Sequence, residues 1–215
     1  PPVQLRPDGL EGEAADRPTT ARIDAPVRRQ LRPVRPHGCL RDHAAGELGG
    51  RAPVRRSGAR AGDTVAVAGL LGRSAAGYAL WDNKIDAHPD LRRLHLVPEP
   101  PYGQGRVAAA AGATAMTDVS DGLLADLGHI ATASGVGIDL STEGLAADRA
   151  ALEEAAAAVG ADAWQWVVGG GEEHALVATF PGAVPGGWRV IGRVVDGPAR
   201  VLVDGAGWAG SPGWQ

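Results

Sequence analysis

Lysine is nearly missing from this chain: of 21 basic residues only Lys84 is lysine, and the rest are arginine. A Walker-type phosphate loop needs a lysine followed by a hydroxyl residue after its glycines. Lys84 follows Asn83, so Gly69-Leu-Leu-Gly72-Arg73-Ser74-Ala-Ala-Gly77 is not such a loop despite its spacing. Cysteine is as scarce, with Cys39 alone, which excludes an internal disulfide and fits a reducing, cytoplasmic setting. No apolar run approaches the ~18 residues that a membrane span needs, and no signal-peptide pattern is visible. The formal net charge of -4 provides no basic field for a phosphate backbone, so neither nucleic acid nor a membrane is an expected partner. A Gly-x-Ser-x-Gly elbow is also missing, which removes support for a serine hydrolase.

Aromatic residues number nine, and none precedes Tyr78. That asymmetry bears on folding, because aromatic rings supply much of the buried area of a small core. Residues 1 to 45 hold seven prolines and eight arginines with no sustained period of 2 or 3.6. Prolines 7, 18, 26, 33 and 36 interrupt any helix, and the few large apolar residues are too dispersed to offset chain entropy. The expectation is a disordered or non-native lead segment over residues 1–46, without stable elements. Its arginine and proline richness, ending abruptly near Glu47, fits a coding sequence read out of frame. A basic arm is disfavoured by the six acids spread among the arginines.

From about Glu47 the texture changes to short alternating runs separated by glycines, the pattern of a mixed α/β domain over residues 47–215. A strand is predicted at Thr64–Ala68, a short helix at Ser74–Trp81, and a stiff connector at Pro98, Pro100 and Pro101. Helix-forming residues 106–111 lead into a strand around Ala115 and Met116. Leu123, Leu127, Ile130, Ala131 and Ser134 form one face of a further helix, which Gly135 closes. Val136, Ile138 and Leu140 alternate as a strand, and the alanine-rich 147–159 reads as one helix ending at Gly160. Strands follow at 175–180, 188–195 and 199–203. The fold class is α/β (α+β): a mixed sheet with helices packed on it.

Two short segments can carry chemistry. Asp118-Val-Ser120-Asp121-Gly122 lies between a strand and a helix start, with Asp121 expected in the first helical turn. Two carboxylates and a hydroxyl there are hard oxygen ligands suited to Mg²⁺ and a nucleotide. The plainer alternative is that Ser120 caps the helix while Asp121 complements its dipole. Gly169-Gly-Gly-Glu172-Glu173-His174 precedes the strand Ala175-Leu-Val-Ala-Thr-Phe180, so Glu172 would stand at the strand mouth as an acceptor, beside backbone free to approach a ligand. A flexible hairpin entry with solvated acids is the alternative. His129 and His174 share no metal-ligand spacing and read as structural.

Taken in order, these segments resemble the thiamine-monophosphate kinase family of the aminoimidazole-ribonucleotide synthetase superfamily. The similarity runs from Gly49-Gly-Arg51-Ala-Pro-Val through His95-Leu-Val-Pro-Glu-Pro-Pro, Ala115 to Leu140 and Gly170 to Leu176, reaching Gly213-Trp214. The resemblance implies the superfamily's C-terminal domain and ATP-dependent phosphorylation of thiamine monophosphate to thiamine diphosphate by in-line transfer. It implies Mg²⁺ at Asp118 and Asp121, ATP at Ser120, and thiamine monophosphate at Glu172 and Trp214. Glu173 stands where that family usually has aspartate. The family's front domain supplies further metal ligands, most of the nucleotide site and the homodimer sheet, and residues 1–45 do not resemble it. This chain is therefore expected to be impaired, and the homodimer is not carried over to it. A non-catalytic fragment, or a sister enzyme acting on another substrate with ATP, are the alternatives.

Overall fold

The computed structural model describes residues 28–29, 44–45 and 50–213. The chain divides into two units, Pro1–Ala52 and Pro53–Gln215. In the first, β1 (Arg28–Arg29) pairs antiparallel with β2 (Ala44–Ala45), a two-residue ladder where the sequence predicts no element.

The second unit is built on one six-stranded sheet. Its strands are β3 (Thr64–Ala68), β4 (Ala115–Val119), β5 (Gly137–Leu140), β6 (Ala175–Phe180), β7 (Arg189–Val195) and β8 (Arg200–Val203), in the spatial order β4-β6-β3-β7-β5-β8. Every neighbouring pair is antiparallel except β5 with β8, so the sheet is mixed, as the sequence predicts. Alternation along β3 sorts its side chains to two faces. Val65 and Val67 join the larger apolar core, whereas Ala66 and Ala68 face a smaller cluster with Ala108, Ala178, Phe180 and Trp188.

Among the described residues seven helices accompany the sheet: α1 (Arg73–Asp82), α2 (Pro89–Leu96), α3 (Gln104–Ala110), α4 (Leu123–Ser134), α5 (Thr142–Ala150), α6 (Glu153–Val159) and α7 (Ala163–Gly169). The predicted stripe of α4 is buried at Leu123, Leu127, Ile130 and Ala131. Ser134, at its end, accepts from the N–H groups of Gly58 and Ala59.

Two helices went unpredicted. In α2 only Leu91 is buried, so no apolar period betrays it, and its start rests on Pro89 in the first turn. Helix α7 is seven residues of mostly large apolar side chains, opened by Asp162, whose carboxylate accepts from Trp164 N–H at 3.0 Å. The single helix predicted over 147–159 is two, because the chain turns at Ala151 and Leu152. Leu152 is buried in the core at the corner, and Ser141 caps the earlier start of α5. Among the described residues no helix is long and apolar enough to cross a membrane.

Candidate functional site

Strand β4 ends at Val119, and the next residues turn sharply into α4. Asp121 lies ahead of the helix, not in its first turn: the cap position is Gly122, with φ 128°, a conformation that side chains rarely adopt. Ser120 does not cap either, since Gly122 is the cap residue and no side-chain cap bond forms. The loop is held from inside the helix instead. Buried Asp126 turns back, and its Oδ2 accepts from the N–H of Ser120 at 2.9 Å and of Asp121 at 3.0 Å. Both backbone donors thereby gain a carboxylate, a stronger acceptor than a neutral oxygen.

The second loop lies directly against the first. Glu172 N–H donates to the Ser120 carbonyl at 3.0 Å, and His174 N–H donates to the Val119 carbonyl at 3.1 Å. Gly171 permits this closeness, because a Cβ there would collide with the Ser120 carbonyl. Of the glycines expected to let a ligand approach, Gly171 thus serves approach between two loops. Gly122 packs in the same way, 2.8 Å from the Gly169 carbonyl at its would-be Cβ. The chain end joins them: Ala125 N–H donates to the Pro212 carbonyl at 3.1 Å. Trp214, assigned to the site by the resemblance, lies outside the described residues.

The side chains divide. Asp118 Oδ2 lies 3.2 Å from His174 Nδ1, each side chain 42% exposed, so His174 partners the predicted metal ligand. Asp121 is exposed and groups with Asp126 and His129, whose ligand atoms lie within 4.8 Å of one another. Ser120 Oγ reaches Asp121 Oδ1 at 3.4 Å. The two predicted metal ligands are therefore engaged by different partners. Sequence reading missed Asp126, whose i, i+3 spacing to His129 was a usable signal. Glu172 is exposed, with φ 70°.

Glu173 points the other way, into the protein. Its Oε1 accepts from Ser74 N–H at 2.9 Å, at the start of α1. That helix has no acidic residue in its first turn, and Glu173 supplies an acceptor oxygen there from 99 residues away. The phosphate-loop spacing around Gly72 fails on this ground as well, because an internal carboxyl group already takes the Ser74 N–H at the helix start. Burial pushes the Glu173 carboxyl up to about 8, against the backbone N–H groups of Ser74, Glu173 itself and Gly72, which favour the ion.

A mixed-sheet α/β domain, with two glycine-bearing loops clasped at the mouths of adjacent antiparallel strands, is the class that fold and site define. The family model described as "AIR synthase related protein, C-terminal domain" matches residues 60–204, well over half of the chain. The chain belongs to this family. Thiamine-monophosphate kinase of Mycobacterium tuberculosis is 69% identical over 172 residues, spanning 80% of this chain and 52% of that protein. The enzyme of the same name from Corynebacterium glutamicum is 44% identical over 180 residues, spanning 80% and 54%. Among solved structures, AaThiL complexed with AMPPCP and TMP superposes with a TM-score of 0.62 at 32% identity, covering 75% of this chain and 53% of that one. The chain spans about half the length of the relatives it matches.

Proposed function

We propose that this chain carries the back half of a thiamine-monophosphate kinase, an enzyme that transfers the γ-phosphate of ATP to thiamine monophosphate in the cytoplasm. The observation that carries the reading is the 3.0 Å bond from Glu172 N–H to the Ser120 carbonyl, which joins the loop assigned to nucleotide and metal to the loop assigned to substrate. The relatives named for this activity, and the AaThiL complex with AMPPCP and TMP, support it.

In this reading Asp118 and Asp121 hold Mg²⁺, which when bound neutralises phosphate charge. Their carboxylate oxygens fit a hard cation, and Asp121 already lies among further ligand-competent groups. Ser120 offers its hydroxyl to ATP. The thiamine phosphate is held at Glu172, an exposed acceptor beside that loop, and at Trp214, whose aromatic face suits a thiazolium cation. Phosphoryl transfer needs alignment more than covalent help, and the tightly packed loops provide a fixed spacing for it. Residues 1–46 are a lead segment outside this domain, a division that the unit boundary after Ala52 supports.

The test is direct. The purified chain is incubated with ATP, Mg²⁺ and thiamine monophosphate, and thiamine diphosphate is measured. Product formation supports the kinase. Ligand-induced thermal stabilisation without product marks a binding-competent but non-catalytic fragment. Neither turnover nor stabilisation overturns the reading.

A further inference from the structure

We propose that Glu173 is the positioning residue for Glu172: its carboxyl, seated on the first turn of α1, fixes the loop backbone that presents Glu172 beside Ser120. The inference rests on the substrate role proposed for Glu172.

Three observations carry it. Glu172 and His174 both have left-handed backbones, with φ 70° and φ 54°. Non-glycine residues leave that region unless their surroundings hold them there, because the Cβ crowds the backbone. Glu173 is the one residue between them, and it is 9% exposed. It reaches a different element entirely, accepting from Ser74 N–H at 2.9 Å. Outward Glu172 and inward Glu173 thus alternate, and fixing the second aims the first.

The seat itself is secured independently. Ser74 is fully buried, and its Oγ lies 2.9 Å from His95 Nδ1, so the helix start is pinned on two sides. Glu173 Oε2 is buried without a hydrogen-bond partner among the described residues. An ionised oxygen left so would be costly, so the neutral acid is the form that fits. The grip then comes from one acceptor oxygen, which an amide reproduces and a hydrocarbon does not.

Hydrogen exchange on the full chain tests this, comparing wild type with Glu173→Gln and Glu173→Leu at the amides of Glu172 and His174. The glutamine variant should exchange as wild type. The leucine variant should exchange at least about tenfold faster there, while Val177 and Ala178 in β6 keep their protection. Wild-type exchange in the leucine variant, or equal loss in both variants, overturns the proposal. Should Glu173→Leu not fold, Ser74→Pro removes the same donor. Loop exchange must then rise, and unchanged exchange overturns the idea.

Titration with thiamine monophosphate separates this from the functional reading. Weaker binding by the leucine variant, restored in the glutamine variant, is the expected result. Absence of binding by wild type would sink the substrate role of Glu172, while the exchange data would still decide the role of Glu173.

Discussion

Asp126 and Ser120 are joined across the start of α4 by a hydrogen bond from backbone N–H to carboxylate of 2.9 Å, and the same oxygen takes the N–H of Asp121 at 3.0 Å. One buried side chain therefore shapes the loop that carries two of the residues assigned to nucleotide and metal. Replacing Asp126 by alanine leaves two backbone donors without their acceptor, at a cost of about 2–4 kcal/mol. Urea unfolding should show that loss in full for Asp126→Ala and in smaller part for Asp126→Asn, which keeps one acceptor. A midpoint unchanged in the alanine variant would show that the loop holds itself.

The junction of the two loops has a steric signature. A methyl group at Gly171 would collide with the Ser120 carbonyl, whereas one at Gly182 meets nothing within 4 Å. Gly171→Ala should lower stability by about 1–3 kcal/mol, the usual range for overpacking, and Gly182→Ala should stay within about 0.5 kcal/mol of wild type. Thermal melts of the pair measure the difference. Equal melting temperatures would mean that the loops separate easily, and the clasp would lose its importance.

Glu173 sets the pH dependence. Its carboxyl is raised from 4.5 to about 8, first by burial and further by the charge of Asp148, against the pull of backbone N–H groups. The folded state thus keeps a proton that the unfolded chain releases above about 4.5. Stability from this group is complete below that pH and declines as pH rises towards about 8, by a few kcal/mol at most. Asp148 is raised by burial as well, despite its 2.6 Å ion pair with Arg189, so it slopes in the same direction. Denaturant midpoints measured from pH 5 to 8 should fall in wild type and fall less steeply in Glu173→Gln, where Asp148 still titrates. A rise with pH in wild type would contradict the assignment.

Much of the fold was legible because its signals are local. The stripe of Leu123, Leu127, Ile130 and Ala131 gave α4, and the run Thr64–Ala68 gave β3, though not its two buried faces. Helix α2 was hidden because a single buried residue, Leu91, leaves no period to read. In the site, the motifs around Ser120 and Glu172 stood out by composition, but their contacts did not. His174 with Asp118, and Glu173 with Ser74, are pairs separated by 56 and 99 residues, set by the register of β4 on β6 and by the packing of α1. No periodicity encodes such distances. The direction of Glu173 was also beyond reach, since neighbouring acids in a glycine-rich loop look alike until one is buried.

The cation site divides two groups of ligands, and the difference can be measured. Asp121 is common to both: it belongs with Asp118 by the family resemblance, and with Asp126 and His129 by proximity of ligand atoms. Magnesium prefers oxygen and keeps several waters, whereas a histidine nitrogen favours zinc or nickel. Magnesium should therefore raise the melting temperature of the chain, and Asp121→Asn should abolish the shift. His129→Ala should leave it in place, because the proposed magnesium ligands are carboxylates, while Asp118→Asn should weaken it by about tenfold in metal concentration. If instead His129→Ala removes the magnesium shift and Asp118→Asn does not, the ion sits on the Asp121–Asp126–His129 face of α4, and Asp118 serves only to hold His174.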